Sequence, residues 1–323
     1  MTSYAIRRVL QAIPTLLIIS FIGFMLIHST GDPLAAYTVD ASLTAEDIAE
    51  LRARYGLDKP VPVQYLNWLK NMLTGDWGRS FYWREKVSVL FFDWLPNTLL
   101  LVAVSYSMTL IVAIVLGIVT ATHQYSWLDH VVTTISFAGI SMPSFWLGLM
   151  LIYGLAVLPK TAGWSVYLPV GGMFDVRGDP SLKQFLWHVI LPAFTLSFVQ
   201  AARYVRYIRS AILEELNQDY VRTARAKGLR ERIVLVVHVF KNALLPVITL
   251  VGLSLPYLLS GTIVIESIFA WPGMGRLFWR AAERVDIPVL MASLMFVSTT
   301  NVVVQLLTDL AYAAIDPRIR YDR

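Results

Sequence analysis

Ser298, Asn301 and Gln305 stand three and four residues apart inside an otherwise apolar run. That spacing puts all three on one face of a helix. A hydroxyl and two amides on one face can hydrogen-bond a passing polar solute or a neighbouring helix. Ser105, Ser107 and Thr109 in an earlier apolar run, and Ser254 and Ser260 in a later one, offer the same two readings. Interhelical bonds of this kind contribute about 0.6 kcal/mol each. No residue pattern here builds a catalyst. There is no GxxxxGK[ST] phosphate loop, so the chain does not hydrolyse ATP by that route. The five histidines are scattered with no His-Glu-x-x-His, which argues against zinc-protease chemistry. Cysteine is absent, so neither disulfides nor thiolates enter.

The stretch richest in signals runs from Asp219 to Pro246, DYVRTARAKGLRERIVLVVHVFKNALLP. Asp219 is a helix-capping residue type, and Gly228 supplies the left-handed residue that ends a helix. Tyr220, Val221, Arg222, Thr223, Ala224, Arg225, Ala226 and Lys227 fill about two turns between them, with Leu229 beyond. Ala224 and Ala226 are small enough to let another surface approach closely. The stretch reads as a short helix on a membrane face, presented to a soluble partner.

The elements around it must be membrane helices. Of 323 residues, 56% are hydrophobic and 15% charged, and mean hydropathy is +0.59. That composition describes an all-α polytopic membrane protein. Six apolar runs read as membrane spans: about Val9–Ile27, long enough for a bilayer core, Pro96–Thr122, Val131–Leu158, Trp187–Ala202, Ala243–Ile265 and Pro288–Asp309. Pro14 lies near the start of the first, Pro96 opens the second, and Pro143 is expected to kink the third. The first run follows Arg7 and Arg8 without a clear cleavage site, so it reads as a retained helix rather than a signal peptide. The polar region from His28 to about Trp94 carries two helical patterns, one from Thr44 to Gly56 and one from Val63 to Gly75. It is expected to form a small helical segment outside the membrane. The domain reading is residues 1–94 for the first helix and this segment, 95–313 for the remaining five helices with a loop at 203–242, and 314–323 for the tail.

Charge orients the chain. Between Arg203 and Lys241 nine basic residues (Arg203, Arg206, Arg209, Arg222, Arg225, Lys227, Arg230, Arg232, Lys241) face four acidic ones (Glu214, Glu215, Asp219, Glu231). The positive-inside rule puts this loop and both termini in the cytoplasm. That rule also accounts for the net charge of +5 without a nucleic-acid partner. Arg203, Arg206 and Arg209 read as anchors near lipid phosphates, or as ties between the fourth helix and the loop. The spans themselves hold no charge until their last residue or so. Ion-coupled carriers keep ionisable groups at mid-membrane despite a cost of about 2.5–3.5 kcal/mol each. The absence of such groups argues that energy enters from outside the bilayer.

These motifs carry a family resemblance. The Ala-rich turn before Gly228, then Asn242, Ala243, Leu245 and Pro246, resembles the cytoplasmic loop of ABC-importer permeases. The form YVRTARAKGL, the external YGLDKPVPVQYLNWL and GDWGRS, the ESIFAWPGMG run from Glu266 to Gly275, and the tail DPRIRY resemble the peptide/nickel subfamily, in particular the B-type subunits of dipeptide and oligopeptide importers. The resemblance implies a type I ABC-importer permease fold with six transmembrane helices. It implies that Asp219–Leu229 couples to ATPases, and that the partners are a homologous second permease, two cytoplasmic ATPase subunits, an extracytoplasmic substrate-binding protein and membrane lipid. ATP and Mg would be bound by those ATPases, with no cofactor in this chain and no enzymatic activity of its own. The expected location is a bacterial cytoplasmic (inner) membrane. Cargo would be dipeptides or oligopeptides, with nickel chelates, glutathione or glycosides as the alternatives. An ion-coupled carrier and a structural membrane anchor are the rival classes. Glu266 and Trp271 read either as interfacial anchors or as parts of an outer gate, and the external segment as a spacer or as a contact for the binding protein.

Overall fold

Long apolar runs set the architecture, because in lipid a helix is the way a single segment satisfies all its backbone groups. The computed structural model describes residues 2–29, 34, 44–54, 56–175, 178–243, 247 and 262–315. In chain order the helices are α1 (Thr2–Ser29), α2 (Ala45–Arg54), α3 (Val61–Leu73), α4 (Val87–Thr122), α5 (Trp127–Ser141), α6 (Ser144–Ile152), α7 (Leu182–Leu216), α8 (Asp219–Ala226), α9 (Met274–Glu283) and α10 (Ile287–Ile315). Wide-turn helix at Tyr153–Val157 and a further turn at Leu158–Thr161 extend α6, and helical turns fill Glu231–Ala243. Residues 262–268 are also helical.

Five described helical stretches are long and apolar enough to cross a membrane: Leu10–Ser29, Val87–Thr122, Ser144–Thr161, Leu182–Leu216 and Ile287–Thr308. The sixth expected span, Ala243–Ile265, falls mostly on 244–246 and 248–261, outside the described residues, as do Leu245, Pro246, Pro256, Ser254, Ser260 and the tail from Asp316.

Prolines depart most from expectation. Pro14 and Pro96 lie inside helices rather than at their starts. The second span begins at Val87, because Val87, Leu90 and Phe91 form one buried stripe against Leu277, Ala281 and Val289. Burial of that stripe outweighs the hydrogen bond that Pro96 cannot make. At Pro143 the helix stops and restarts. Met142 sits at φ −89, ψ 125, the extended conformation that a following proline imposes. The fourth span also runs beyond Ala202 to Leu216, with Tyr204, Val205, Ile208 and Ile212 buried along one face.

The chain divides into two compact units, residues 1–97 with 273–323, and residues 98–272. In the first, α3 lies against α1: Ser20 Oγ is 2.9 Å from Tyr65 Oη, and Phe21 and Phe24 pack edge-on to the Tyr65 ring. Gly23 lets α1 approach α10, since a Cβ there would stand 2.0 Å from Leu294. Helices α2 and α3 end as expected, at Gly56 and Gly75, both left-handed with φ +67 and +86. In the second unit, Ala113, Ala121, Ile208 and Ile212 form a core with Val221, Ala224, Val234 and Val239.

Candidate functional site

The loop after α7 is a built structure. Asn217 ends α7 and Gln218, in an extended conformation, precedes α8. Asp219 is therefore the first residue of α8, where a carboxylate favours the positive end of the helix dipole. It does not cap: Gln218 holds the capping position without a side-chain bond. The far end matches the sequence reading. Gly228 has φ +74; its N–H donates to Arg225 O at 2.9 Å, and Leu229 N–H donates to Ala224 O at 3.4 Å. That paired arrangement closes a helix around a left-handed glycine.

Two faces of α8 do different work. Val221 and Ala224, three apart, are buried in the core with Ile208, Ile212, Val234 and Val239. Ala224 thus seats α8 on its own unit, and of the two alanines only Ala226 remains open to an approaching surface. Arg222, Thr223, Ala226, Lys227 and Gly228 are exposed. Among the described residues Arg222 makes a long contact with Asp219, 3.5 Å, with both side chains in solvent.

Side chains then lock this helix in place. Tyr220 Oη donates to Glu215, accepts from Asn242 Nδ2 at 3.0 Å, and lies 3.3 Å from His238 O. Burial pushes the Tyr220 hydroxyl above its ordinary pKa; Glu215 adds to that shift and the Asn242 bond opposes it. Arg225 grips Glu231 with two bonds, 2.6 and 3.1 Å, across the Gly228 turn, and this holds the Glu231 carboxyl below the usual carboxylate range.

A second lock was not legible as a pair. Arg209 on α7 forks onto Asp129, Nε to Oδ1 and Nη2 to Oδ2, both 2.8 Å. Asp129 also accepts from Tyr125 N–H at 2.9 Å, while Ser126 caps α5 through Asp129 N–H. The Arg209 bond is the main reason the Asp129 carboxyl stays below its ordinary range. Arg209 is accordingly a tie rather than a lipid anchor, though it ties α7 to the first turn of α5 and not to the loop that follows α7. Arg206 lies 4.2 Å over the Phe137 ring.

The other singled-out residues are dispersed. Ser105 is buried in the second unit and bonds Leu101 O at 2.6 Å. In the first unit, α10 carries a buried Ser298, a half-buried Asn301 and an exposed Gln305. Glu266 and Trp271 are fully enclosed, so neither side chain sits at a lipid–water interface. Glu266 Oε1 accepts from Thr98 at 2.8 Å, and Trp271 packs edge-on to Phe185.

Two family models match: residues 1–102 fit the N-terminal part of the binding-protein-dependent transport system membrane components, and residues 113–321 fit the binding-protein-dependent transport system inner membrane component. The chain belongs to that family. It is thus the membrane component of a binding-protein-dependent transporter. It is 43% identical over 323 residues to the oligopeptide transport system permease protein AppB of Bacillus subtilis, covering 99% of this chain and 100% of that one. A putative peptide permease protein of Brucella suis is 42% identical, with 99% of each chain covered. The glutathione transport system permease protein GsiC of Pectobacterium atrosepticum is 38% identical over 99% of this chain and 100% of its own. A crystal structure of an amino acid ABC transporter with histidines shares the fold at TM-score 0.51 and 14% identity, over 71% of this chain and 95% of that one. The expected ABC permease fold is confirmed at the level of family and architecture.

Proposed function

We propose that this chain is one permease subunit of an ATP-driven oligopeptide importer in the bacterial cytoplasmic membrane, paired with a homologous second permease. Two cytoplasmic ATPase subunits would bind ATP and Mg, and an extracytoplasmic binding protein would deliver cargo. The observation that carries this reading is α8: a helix held on its own unit by Val221 and Ala224, with Arg222, Thr223, Ala226 and Lys227 exposed. A lever needs one fixed face and one free face, and α8 has both. ATP closes the ATPase pair, α8 moves with it, and the movement passes through Tyr220, Asn242 and the shared core into α7. The loop carrying α8 and both termini lie in the cytoplasm on this reading. Full-length relatedness to peptide permeases supports the cargo class; glutathione, the cargo named for one relative, is itself a short peptide.

Reconstitution into proteoliposomes with the second permease, the ATPases and the binding protein tests the function. Uptake of a labelled tripeptide should require ATP and persist with a proton ionophore. Uptake that collapses with the ionophore while ATP is ample would replace this reading with an ion-coupled carrier.

A further inference from the structure

Asp286 immediately precedes α10 and is fully buried. Its carboxylate is filled from one short loop: Ser80 Oγ donates to Oδ2 at 2.5 Å, Phe81 N–H to Oδ1 at 3.2 Å, and Tyr82 N–H to Oδ2 at 3.1 Å. Ser80 Oγ in turn accepts from Trp83 N–H at 2.8 Å. Next to this clasp, the Arg284 guanidinium lies 3.6 Å from the centre of the Tyr82 ring. A buried carboxylate with three donors is a strong and directional joint. It fastens the loop that follows α3, including GDWGRS, to the first turn of α10, the helix that carries Ser298, Asn301 and Gln305.

A cleft open to solvent lies beside the clasp. Asp76, Trp77 and Arg79 of the loop form one wall, and Ile287 and Pro288 of α10 contribute to another. Whatever presses on the loop therefore meets a body already fixed to α10.

We infer that Ser80 and Asp286 are positioning residues that carry the docking of the binding protein at the external segment into α10. The proposal rests on the transport function above. It makes the external segment neither a spacer nor only a landing surface, but the outer handle of α10. Asp286 acts through the loop and does not touch cargo.

The experiment uses the assembled transporter in proteoliposomes, with Ser80→Ala, Ser80→Thr and Asp286→Asn beside the native chain. Basal ATP hydrolysis and half-saturation by the binding protein should hold, while the hydrolysis that saturating binding protein elicits falls about ten-fold in Ser80→Ala and Asp286→Asn, within the ordinary range of coupling between sites. Ser80→Thr, which keeps the hydroxyl, should recover most of it. Unchanged stimulation in both variants overturns the proposal, as does a loss that appears only as weaker binding-protein affinity. A native complex that the binding protein does not stimulate overturns the transport reading, and the proposal with it.

Discussion

Arg209 and Asp129, eighty positions apart in sequence, share a two-pronged ion pair with both contacts at 2.8 Å. Asp129 is almost wholly enclosed, whereas a quarter of the Arg209 side chain remains exposed. The pair joins α7 to the first turn of α5, on the same α7 segment whose buried face supports α8.

Removing either partner strands the other. Breaking a buried pair costs roughly 3–5 kcal/mol, and the partial exposure of Arg209 puts this one at the low end. Arg209→Ala and Asp129→Ala should each lower the unfolding midpoint in detergent. The double variant should lose clearly less than the two losses combined. Simple additivity would show that the two residues act independently.

Acid should loosen the same joint. The Arg209 guanidinium holds the Asp129 carboxyl below its ordinary range, so the unfolded chain takes up that proton more readily than the folded one. The stabilisation is complete above the unfolded carboxylate value and is lost as pH falls through the lowered folded value. Glu231, held down by Arg225, contributes with the same sign, but less, because it is exposed. Thermal midpoints taken from about pH 6 to about pH 3 should fall less steeply for Asp129→Asn than for the native chain. Parallel slopes would rule Asp129 out as a source of the acid sensitivity.

Gly228→Ala should destabilise α8 by roughly 1–2 kcal/mol, the cost of a side chain in left-handed backbone. The space is not the problem, since a Cβ there meets nothing within 4 Å; the φ of +74 is. Faster amide hydrogen exchange at Gly228 and Leu229 is the expected signature, with the exchange of α7 unaltered.

Tyr220→Phe deletes a hydroxyl that bonds both Glu215 and Asn242. A loss of about 1 kcal/mol is expected, together with reduced coupling of ATP hydrolysis to uptake while the ATPases stay bound. Full coupling in this variant would show that movement leaves α8 by another route.

Much of this was legible in the sequence, and the failures share a cause. Apolar length announced five of the six expected spans, the other lying mostly outside the described residues, and Gly56, Gly75 and Gly228 marked helix ends, because those signals are local. The break at Pro143 falls where the sequence puts a kink, but Pro96 does not open its helix, since the burial of Val87, Leu90 and Phe91 against residues far along the chain extends that helix back to Val87. Asp219 looked like a cap, yet the chain turns one residue earlier, at Gln218. Ala224 and Ala226 looked equivalent until the helix acquired an inner face. Asp129 and Asp286 were passed over because their partners, Arg209 and Ser80, come from far along the chain. The Ser126-x-x-Asp129 spacing was the one local signal that could have drawn attention to the first.

The exposed face of α8 as the seat of the ATPases is the central claim, and co-purification from membranes tests it most directly. Ala226→Glu combined with Thr223→Glu alters only exposed positions and leaves Val221 and Ala224 in the core. The native chain should bring down both ATPase subunits, and the double variant should lose them while retaining the second permease and its unfolding midpoint. ATPases that remain bound at native levels in the variant would contradict the account.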